Sequence, residues 1–198
     1  MPEDSELVDR PEQWPVHVEE KVWDGAAPFS VRRDVVSAPD APDDRFDRLV
    51  LKHPGAVVIL AVDEQQQALI LHQYRHPVAM RLVELPAGLL DVVGEDPVEA
   101  ARRELREEGL VLAARWTHLL TTYSSPGLSS EKIEFYLAED LSPATDRDGF
   151  VPRHEEADMT VSWAPVRDLL QGVLAGRLTD GPLGQAVMAY TLQQDHPR

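Results

Sequence analysis

Three glutamates stand within one turn of a predicted helix, at a spacing that stabilises no fold by itself. Glu104, Glu107 and Glu108 occupy positions i, i+3 and i+4, so on a helix their Cβ atoms lie about 5 to 6 Å apart. Like charges at this spacing destabilise an exposed helix. A bound cation would remove that cost, because hard divalent cations prefer oxygen ligands. The spacing therefore predicts a helix with a metal-binding face.

The glutamates lie in a segment that has its own helix start and stop signals. Asp96 suits the N-cap, Pro97 suits the first helical position, and Glu99 completes a capping box. Gly109 is predicted to end the helix. The apolar side of this helix is predicted to be a stripe of three residues, Val98, Ala101 and Leu105.

An arginine on the same helix is placed among the acidic side chains. Arg103 lies four residues after Glu99 and four before Glu107, where it is predicted to brace both. A salt-bridged surface helix without a ligand is the alternative interpretation. The capping signals and the preceding turn at residues 85–88 favour a metal site, because a solvated helix face requires neither.

The segment from Gly88 to Leu110 resembles the signature of the Nudix hydrolase family. That signature is Gly, five residues, Glu, seven residues, Arg-Glu, an aliphatic residue, any residue, Glu-Glu, any residue, Gly and an aliphatic residue. Residues 95–108 match its central part without a break. Two departures flank this match. Six residues rather than five follow Gly88, and Gly109 directly follows the Glu-Glu pair, so one position is missing or Leu110 replaces the final glycine.

The resemblance implies a fold and a cofactor. The fold is α/β, a Nudix-type α/β/α sandwich with a mixed sheet and an N-terminal antiparallel strand extension. The implied cofactor is Mg²⁺ or Mn²⁺, held by Glu104, Glu107, Glu108 and the backbone carbonyl of Ala87. Glu107 is also a candidate catalytic residue, and Glu95 suits an orienting or electrostatic role at the helix entrance.

Segments outside the signature resemble the ADP-ribose pyrophosphatase branch of this family. Pro126 lies sixteen residues after Leu110, where that branch has a proline, and Glu131 matches a glutamate that approaches substrate. Arg75 ends a strand-like run and is suited to bidentate phosphate binding, while Arg48 aligns with a substrate-contacting arginine. An ordinary turn at Pro126 and a surface position for Arg75 are the structural alternatives.

An acidic loop at residues 154–158 precedes a predicted strand. In the same branch, a glutamate on a mobile loop at this place is proposed to act as general base on the attacking water. Glu155 is the first candidate for that role and Glu156 is the second. A solvated acidic loop is the alternative.

Together these resemblances imply metal-dependent hydrolysis of ADP-ribose to AMP and ribose 5-phosphate. A broader nucleoside diphosphate-sugar pyrophosphatase is the alternative within the same class, because few residues of a sugar pocket can be recognised. A module that binds ADP-ribose without cleaving it is the alternative from another class. The three glutamates on one helical turn disfavour that module.

The amino-acid composition limits which binding partners and which cellular compartment are expected. The chain has 198 residues, of which 43% are hydrophobic, which is enough for one core. Its net charge of −16 disfavours nucleic acids and anionic membranes as partners. It has no cysteine, which excludes disulfides and thiolate chemistry. With neither a long apolar stretch nor a signal-peptide core, the expected location is the cytoplasm.

The predicted elements divide the chain into an N-terminal extension and strand platform at residues 1–54 and a Nudix hydrolase domain at residues 55–198. The platform has three strand-like runs separated by glycine and proline, the last two by a loop at residues 39–44. Residues 56–62 and 68–74 are predicted to form a hairpin. Further strands are predicted near residues 83–85, 116–123, 133–139 and 159–163, and helices at 166–175 and 183–193. Because the platform often makes dimer contacts in this family, a homodimer is expected.

Overall fold

A computed structural model describes residues 7–25, 28–152 and 157–195. The chain divides into two compact units. The N-terminal unit comprises residues 1–53 and 125–130, and the main unit comprises residues 54–124 and 131–198. The expected functional assignment of residues 1–54 and 55–198, with dimer contacts in the first part, stays a prediction.

The N-terminal unit is an antiparallel three-stranded sheet. Its strands, in spatial order, are β1 (Val16–Trp23), β2 (Ser30–Ala38) and β3 (Ala41–Lys52). The loop predicted at residues 39–44 is wrong, because Ala38 pairs with Ala41 and β3 begins there. The chain therefore turns tightly over two residues. The segment 125–130 joins this unit through a hydrogen bond of 2.8 Å from the Leu51 amide to the Leu128 carbonyl.

Within the described residues, the main unit contains two sheets, three α-helices and a short 3₁₀-helix (His76–Val78). One sheet has the order β7-β4-β9-β8, in which β4 and β9 are parallel, and the other has the antiparallel order β10-β5-β6. The strands are β4 (Ala56–Ala61), β5 (Gln67–Arg75), β6 (Met80–Glu84), β7 (Ala87–Leu89), β8 (Val111–Tyr123), β9 (Lys132–Pro143) and β10 (Thr160–Pro165). The helices are α1 (Pro97–Gly109), α2 (Val166–Leu174) and α3 (Gly181–Asp195).

The predicted hairpin of two apolar strands is wrong in its pairing. β4 and β5 are joined by a turn, but only an isolated bridge between Val62 and Ala68 connects them. Both edges of β4 pair with β7 and β9, and both edges of β5 pair with β6 and β10. The two strands consequently belong to different sheets.

The strand β4 is buried on both faces, which places it in the middle layer. Val57, Ile59 and Ala61 lie in one core cluster, on the side of α1, whose contribution is Ala100, Ala101 and Leu105. Val58, Leu60 and Val62 lie in the other, together with residues of α2 and α3 that include Leu169, Leu183 and Val187. This layering confirms the predicted α/β/α sandwich with a mixed sheet. It also corrects the predicted stripe of α1, because Ala100 is buried while Val98 is only half-buried.

No helix in the described parts of the chain combines the length and the apolar composition needed to cross a membrane.

Candidate functional site

The helix α1 begins and ends where the sequence predicts, at Pro97 and Gly109. The Asp96 carboxylate accepts a hydrogen bond of 3.0 Å from the Val98 amide, with Pro97 at the first helical position. The left-handed residue at the other end is Leu110, at φ +53°, and not Gly109. A Cβ on Gly109 would come within 2.7 Å of the Leu69 side chain, so close packing explains this glycine. Leu110 therefore replaces the final glycine of the signature, and no position is missing.

Arg103 contacts three members of an acidic cluster that we define as Glu95, Glu104, Glu107 and Glu108. Its Nε and Nη2 donate to the two carboxylate oxygens of Glu95 at 3.2 and 3.1 Å. Its Nη1 donates to Glu104 at 2.6 Å and to Glu107 at 3.4 Å. The predicted brace to Glu107 is confirmed. The predicted brace to Glu99 is wrong, because that side chain turns outward to Arg102 at 3.2 Å.

Two members of the cluster lie against the strand β7. The Glu108 carboxylate, on a residue only 7% exposed, accepts a hydrogen bond of 2.9 Å from the Ala87 amide. A Cβ on Gly88 would stand 2.0 Å from the Glu104 carboxylate, so only glycine permits this approach. The additional residue between Gly88 and Glu95 is accommodated in a loop in which Gly94 adopts φ +83°. Glu95 still reaches Arg103.

The electrostatics of the cluster reflect crowded negative charge. Burial raises the pKa of Glu107 in spite of its contact with Arg103. The hydrogen bond to Glu95 raises the pKa of Arg103, with Glu104 contributing in the same direction. Within the described residues, no group of three or more acidic or histidine side chains is arranged around a metal position. In this conformation the Arg103 guanidinium is the counterion of the cluster.

The acidic residues nonetheless fit a hard divalent cation. Three of these carboxylates contact one guanidinium, the fourth, that of Glu108, accepts from the Ala87 amide, and all of their donor atoms are oxygens. Arg103 holds Glu95 through Nε and Nη2 but touches Glu104 and Glu107 only through Nη1. If Glu104 and Glu107 turned from Arg103 to a cation, the two hydrogen bonds between Arg103 and Glu95 would therefore remain.

A second charged group lies in the main unit, and sequence reasoning missed most of it. Arg75, a predicted site residue, donates from Nε and Nη2 to the buried carboxylate of Glu84 at 2.9 and 2.6 Å. The hydrogen bond to Glu84 raises the pKa of Arg75, and the charges of Glu108 and Asp180 add to this effect. The sequence signal for Glu84 was its place just before the Leu85-Pro86 turn. Asp180 is separated from Glu84 by 96 positions in the chain, so no local pattern could have linked them.

Asp180 combines a structural and an electrostatic role. Its carboxylate accepts a hydrogen bond of 2.8 Å from the Leu183 amide and so caps α3. Burial raises the pKa of Asp180 to about 6, with the charge of Glu84 acting in the same direction and Arg75 opposing it.

The remaining predicted residues are distributed over both units. Glu131 is half-buried and lies immediately before β9 in the main unit. Pro126 lies in an exposed turn of the N-terminal unit, closed by a 2.9 Å hydrogen bond from the Leu128 amide to the Ser125 carbonyl. Arg48 is in β3, where its guanidinium lies 4.2 Å from the ring centre of Phe46.

The two candidate bases, Glu155 and Glu156, lie outside the described residues. After this gap the chain is fixed by Arg81, which forms an ion pair with the Asp158 carboxylate and donates to the Asp158 carbonyl at 3.2 Å. The general-base assignment stays a prediction.

Comparison with known proteins defines the class. The model of the family described as NUDIX domain matches residues 51–183, which include α1, the acidic cluster and the Arg75–Glu84 pair. The chain therefore belongs to the NUDIX domain family. The solved structure of an ADP compounds hydrolase has the same fold, with a TM-score of 0.74 over 96% of this chain and all of that one, at 18% identity.

Several curated proteins are similar to this chain in sequence. An ADP-ribose pyrophosphatase of Mycobacterium tuberculosis is 40% identical over 161 residues, which cover 81% of this chain and 75% of the relative. Another from Bacillus subtilis is 33% identical over 74% of this chain and 77% of its own. A GDP-mannose pyrophosphatase of Enterobacter sp. is 30% identical over 64% of this chain and 68% of its own.

Proposed function

We propose that this protein hydrolyses ADP-ribose to AMP and ribose 5-phosphate with the help of a divalent cation. The observation that carries the proposal is the acidic cluster on α1, in which Glu104 reaches Gly88 and Glu108 reaches Ala87. The two relatives described as ADP-ribose pyrophosphatases support the choice of substrate. In the reaction, water oxygen bonds to one phosphorus, the bridging P–O bond breaks, and a proton is released.

The acidic cluster supplies the metal ligands in this proposal. Glu104, Glu107, Glu108 and the carbonyl of Ala87 would hold Mg²⁺ or Mn²⁺. A bound cation of this kind neutralises phosphate charge and lowers the pKa of water. Arg103 keeps Glu95 in place throughout, because the Nε–Nη2 edge that binds it is separate from Nη1. Glu104 and Glu107 would then be available to the cation while Glu95 stays paired with Arg103.

Residues outside the metal-binding set have proposed roles toward the substrate or the attacking water. Arg75 binds a phosphate oxygen through the edge of its guanidinium that faces away from Glu84. Glu131, Pro126 and Arg48 contact the nucleotide or the sugar. Glu155, or in second place Glu156, takes a proton from the attacking water, and Glu107 assists at the metal.

The test is product analysis of purified protein. ADP-ribose is incubated with Mg²⁺, with Mn²⁺ or with a chelator, and products are separated by ion-exchange chromatography. AMP and ribose 5-phosphate are expected only with metal. A reaction in ¹⁸O-labelled water then identifies the attacked phosphorus, because the label enters only one product. Intact ADP-ribose in both metals would refute the proposal.

A second candidate is a broader nucleoside diphosphate-sugar pyrophosphatase, which the GDP-mannose pyrophosphatase relative favours. The same assay with GDP-mannose and other nucleoside diphosphate-sugars separates the two. A kcat/KM for ADP-ribose at least about tenfold above the others, equivalent to about 1.4 kcal/mol, supports the narrow substrate. Similar values support the broad one. Binding of ADP-ribose without turnover would instead indicate a sensing module.

The assembly that we propose is a homodimer formed through the N-terminal unit. Val18 of β1 and Leu49 of β3 lie on one face of its sheet, in neighbouring rows that also hold Glu20, Arg33 and Asp47, and are 45 and 54% exposed. Exposed apolar groups on one face are typical of an interface. Light scattering should give a dimer mass, and Leu49→Glu should reduce it. A monomer at micromolar concentration would contradict the homodimer. The expected cytoplasmic location stays a prediction.

A further inference from the structure

Glu84 is a buried carboxylate whose charge is matched by one side chain. The residue is 4% exposed, at the end of β6. An ionised carboxylate at such a position is costly unless it is paired and hydrogen-bonded. Arg75 provides that pairing with three contacts, from Nε at 2.9 and 3.1 Å and from Nη2 at 2.6 Å. The pair therefore has a fixed geometry.

The pair is diagonal across two strands. In the register of β5 and β6, Arg75 stands opposite Met80 and Glu84 stands opposite Leu71. The Arg75 side chain must therefore extend back along the sheet to reach Glu84. Without that anchor, a side chain at a strand end would extend into solvent. Glu84 determines which way the guanidinium points.

The anchored guanidinium keeps one edge available. Nε and Nη2 face Glu84, and none of the residues that the structure describes pairs with Nη1. The Arg75 side chain is 46% exposed. Three N–H donors, two on Nη1 and one on Nη2, remain for an anionic ligand. This end of the guanidinium has the shape needed for two phosphate oxygens.

Two other carboxylates compete for the same arginine. Glu108 and Asp180 are both near enough to interact electrostatically with Arg75. Glu108 is a proposed metal ligand, so an arginine released from Glu84 would be drawn toward the group that the metal requires. The bidentate contact with Glu84 prevents this.

We infer that Glu84 is a positioning residue that holds Arg75 in the orientation that binds the pyrophosphate of the substrate. The inference rests on the proposed function. Glu84 itself touches neither substrate nor metal in this role and acts through Arg75. It adds a determinant of phosphate binding that lies outside the Nudix signature.

The test uses Glu84→Gln, which keeps the size of the side chain and removes its charge. We expect KM for ADP-ribose to rise at least about tenfold, because a charged hydrogen-bonding partner of the binding group is lost. We expect kcat to stay within about threefold. The matched control is Glu99→Gln, which removes the same charge from the exposed pair with Arg102. Its KM should equal that of the wild type.

A double-mutant cycle separates positioning from structural support. Arg75→Gln, Glu84→Gln and the double variant are compared in KM and in urea unfolding. If Glu84 acts through Arg75, Glu84→Gln should have little further effect on KM once Arg75 is replaced. An equal effect in both backgrounds overturns the inference, as does an unchanged KM in Glu84→Gln.

Two further results keep the test decisive. If Glu84→Gln does not fold, Glu84→Asp retains the charge and shortens its reach by one methylene. It should raise KM several-fold, and an unchanged KM overturns the inference. Wild-type protein that leaves ADP-ribose intact refutes the proposed function instead. Active wild-type protein with an unaffected Glu84→Gln variant refutes only the role of Glu84.

Discussion

Two acidic sites in the main unit differ in how their negative charge is balanced. In the acidic cluster, three of the four carboxylates share a single guanidinium, that of Arg103. In the second group, which we call the Glu134 cluster, one carboxylate accepts hydrogen bonds from Lys132 at 2.6 Å, Thr121 at 2.5 Å and His118 at 2.9 Å. The first group has an excess of acceptors, and the second has an excess of donors.

The difference is reflected in opposite pKa shifts. Burial raises the pKa of Glu107 in the acidic cluster. Burial would also raise the pKa of Glu134, but the hydrogen bonds from Lys132, Thr121 and His118 lower it to about 2. The row Gly88–Val57–Glu134 runs across adjacent strands of one sheet, so both clusters belong to the same sheet face. Acidic residues on one surface can thus be a cation site or a completed salt bridge, and the donors decide which.

The largest expected effect is on enzymatic activity, which should depend on the acidic cluster and not on the Glu134 cluster. Glu104→Gln or Glu108→Gln should lower kcat/KM by at least about 100-fold, because each removes a metal ligand. Glu134→Gln should leave kcat/KM within about threefold. The measurement is steady-state hydrolysis of ADP-ribose, with circular dichroism as a check of folding. Mg²⁺ should also raise the Tm of the wild type and of Glu134→Gln but not of Glu104→Gln. Equal activity in all variants would falsify the metal assignment.

The second largest effect is expected on stability, when the basic partner of each cluster is replaced. Arg103→Gln leaves several partly buried carboxylates without their shared cation and should lower the free energy of unfolding by about 2 kcal/mol in metal-free buffer. Lys132→Gln removes an exposed partner and should cost less than about 1 kcal/mol. Urea unfolding provides both values. Mg²⁺ should restore part of the loss in Arg103→Gln only, and the absence of any recovery would contradict a cation site at the cluster.

A smaller effect is expected in the pH dependence of stability. The folded pKa of Glu134 is depressed from 4.5 to about 2, so its stabilisation is present above pH 4.5 and is lost as the pH falls toward 2. Glu134→Gln should therefore cost about 1 kcal/mol at pH 7, after allowance for solvent screening, and less at pH 3. Unfolding of both proteins in urea at the two pH values gives the comparison.

Glu107 should behave in the opposite way. Its folded pKa is raised above 4.5, so ionisation destabilises the metal-free fold as the pH rises through that value. Glu107→Gln should be more stable than the wild type at pH 7 without metal and equal to it at pH 4. If Glu107→Gln and Glu134→Gln changed the free energy of unfolding in the same direction at pH 7, the distinction between the two clusters would be lost.

The smallest effect tests the helix that carries the acidic cluster. Leu110 is in the left-handed region at φ +53°, where a Cβ costs about 1 kcal/mol. Leu110→Gly and Leu110→Ala both remove the side chain, but only glycine removes the Cβ. Leu110→Gly should be more stable than Leu110→Ala by about 1 kcal/mol or less, the reverse of their order within a helix. Thermal unfolding of the two variants decides this, and the Glu134 cluster, on strands, should be unaffected.

Local patterns accounted for α1 and for the kind of chemistry at the site. Helix periodicity determined that Glu104, Glu107 and Glu108 share a face, and Asp96 with Pro97 determined where the helix begins. The same reasoning failed for Glu99, because both Arg102 and Arg103 are within its reach and only the surroundings of Arg103 decide between them. It predicted that the helix ends at Gly109, but not that the left-handed residue is Leu110, nor that Gly109 packs against the distant Leu69.

The sequence by itself determined the acidic helix and its N-cap, the continuous apolar run of β4 and the excess of negative charge. These follow from interactions over a few positions, which the order of residues contains directly. Only the tertiary structure decided that β4 and β5 enter different sheets, that Gly88 lies against Glu104, and that Arg75 is held by Glu84 with Asp180 nearby. Those contacts join residues far apart in the chain, and packing of the two sheets selects them from many pairs of equal local propensity.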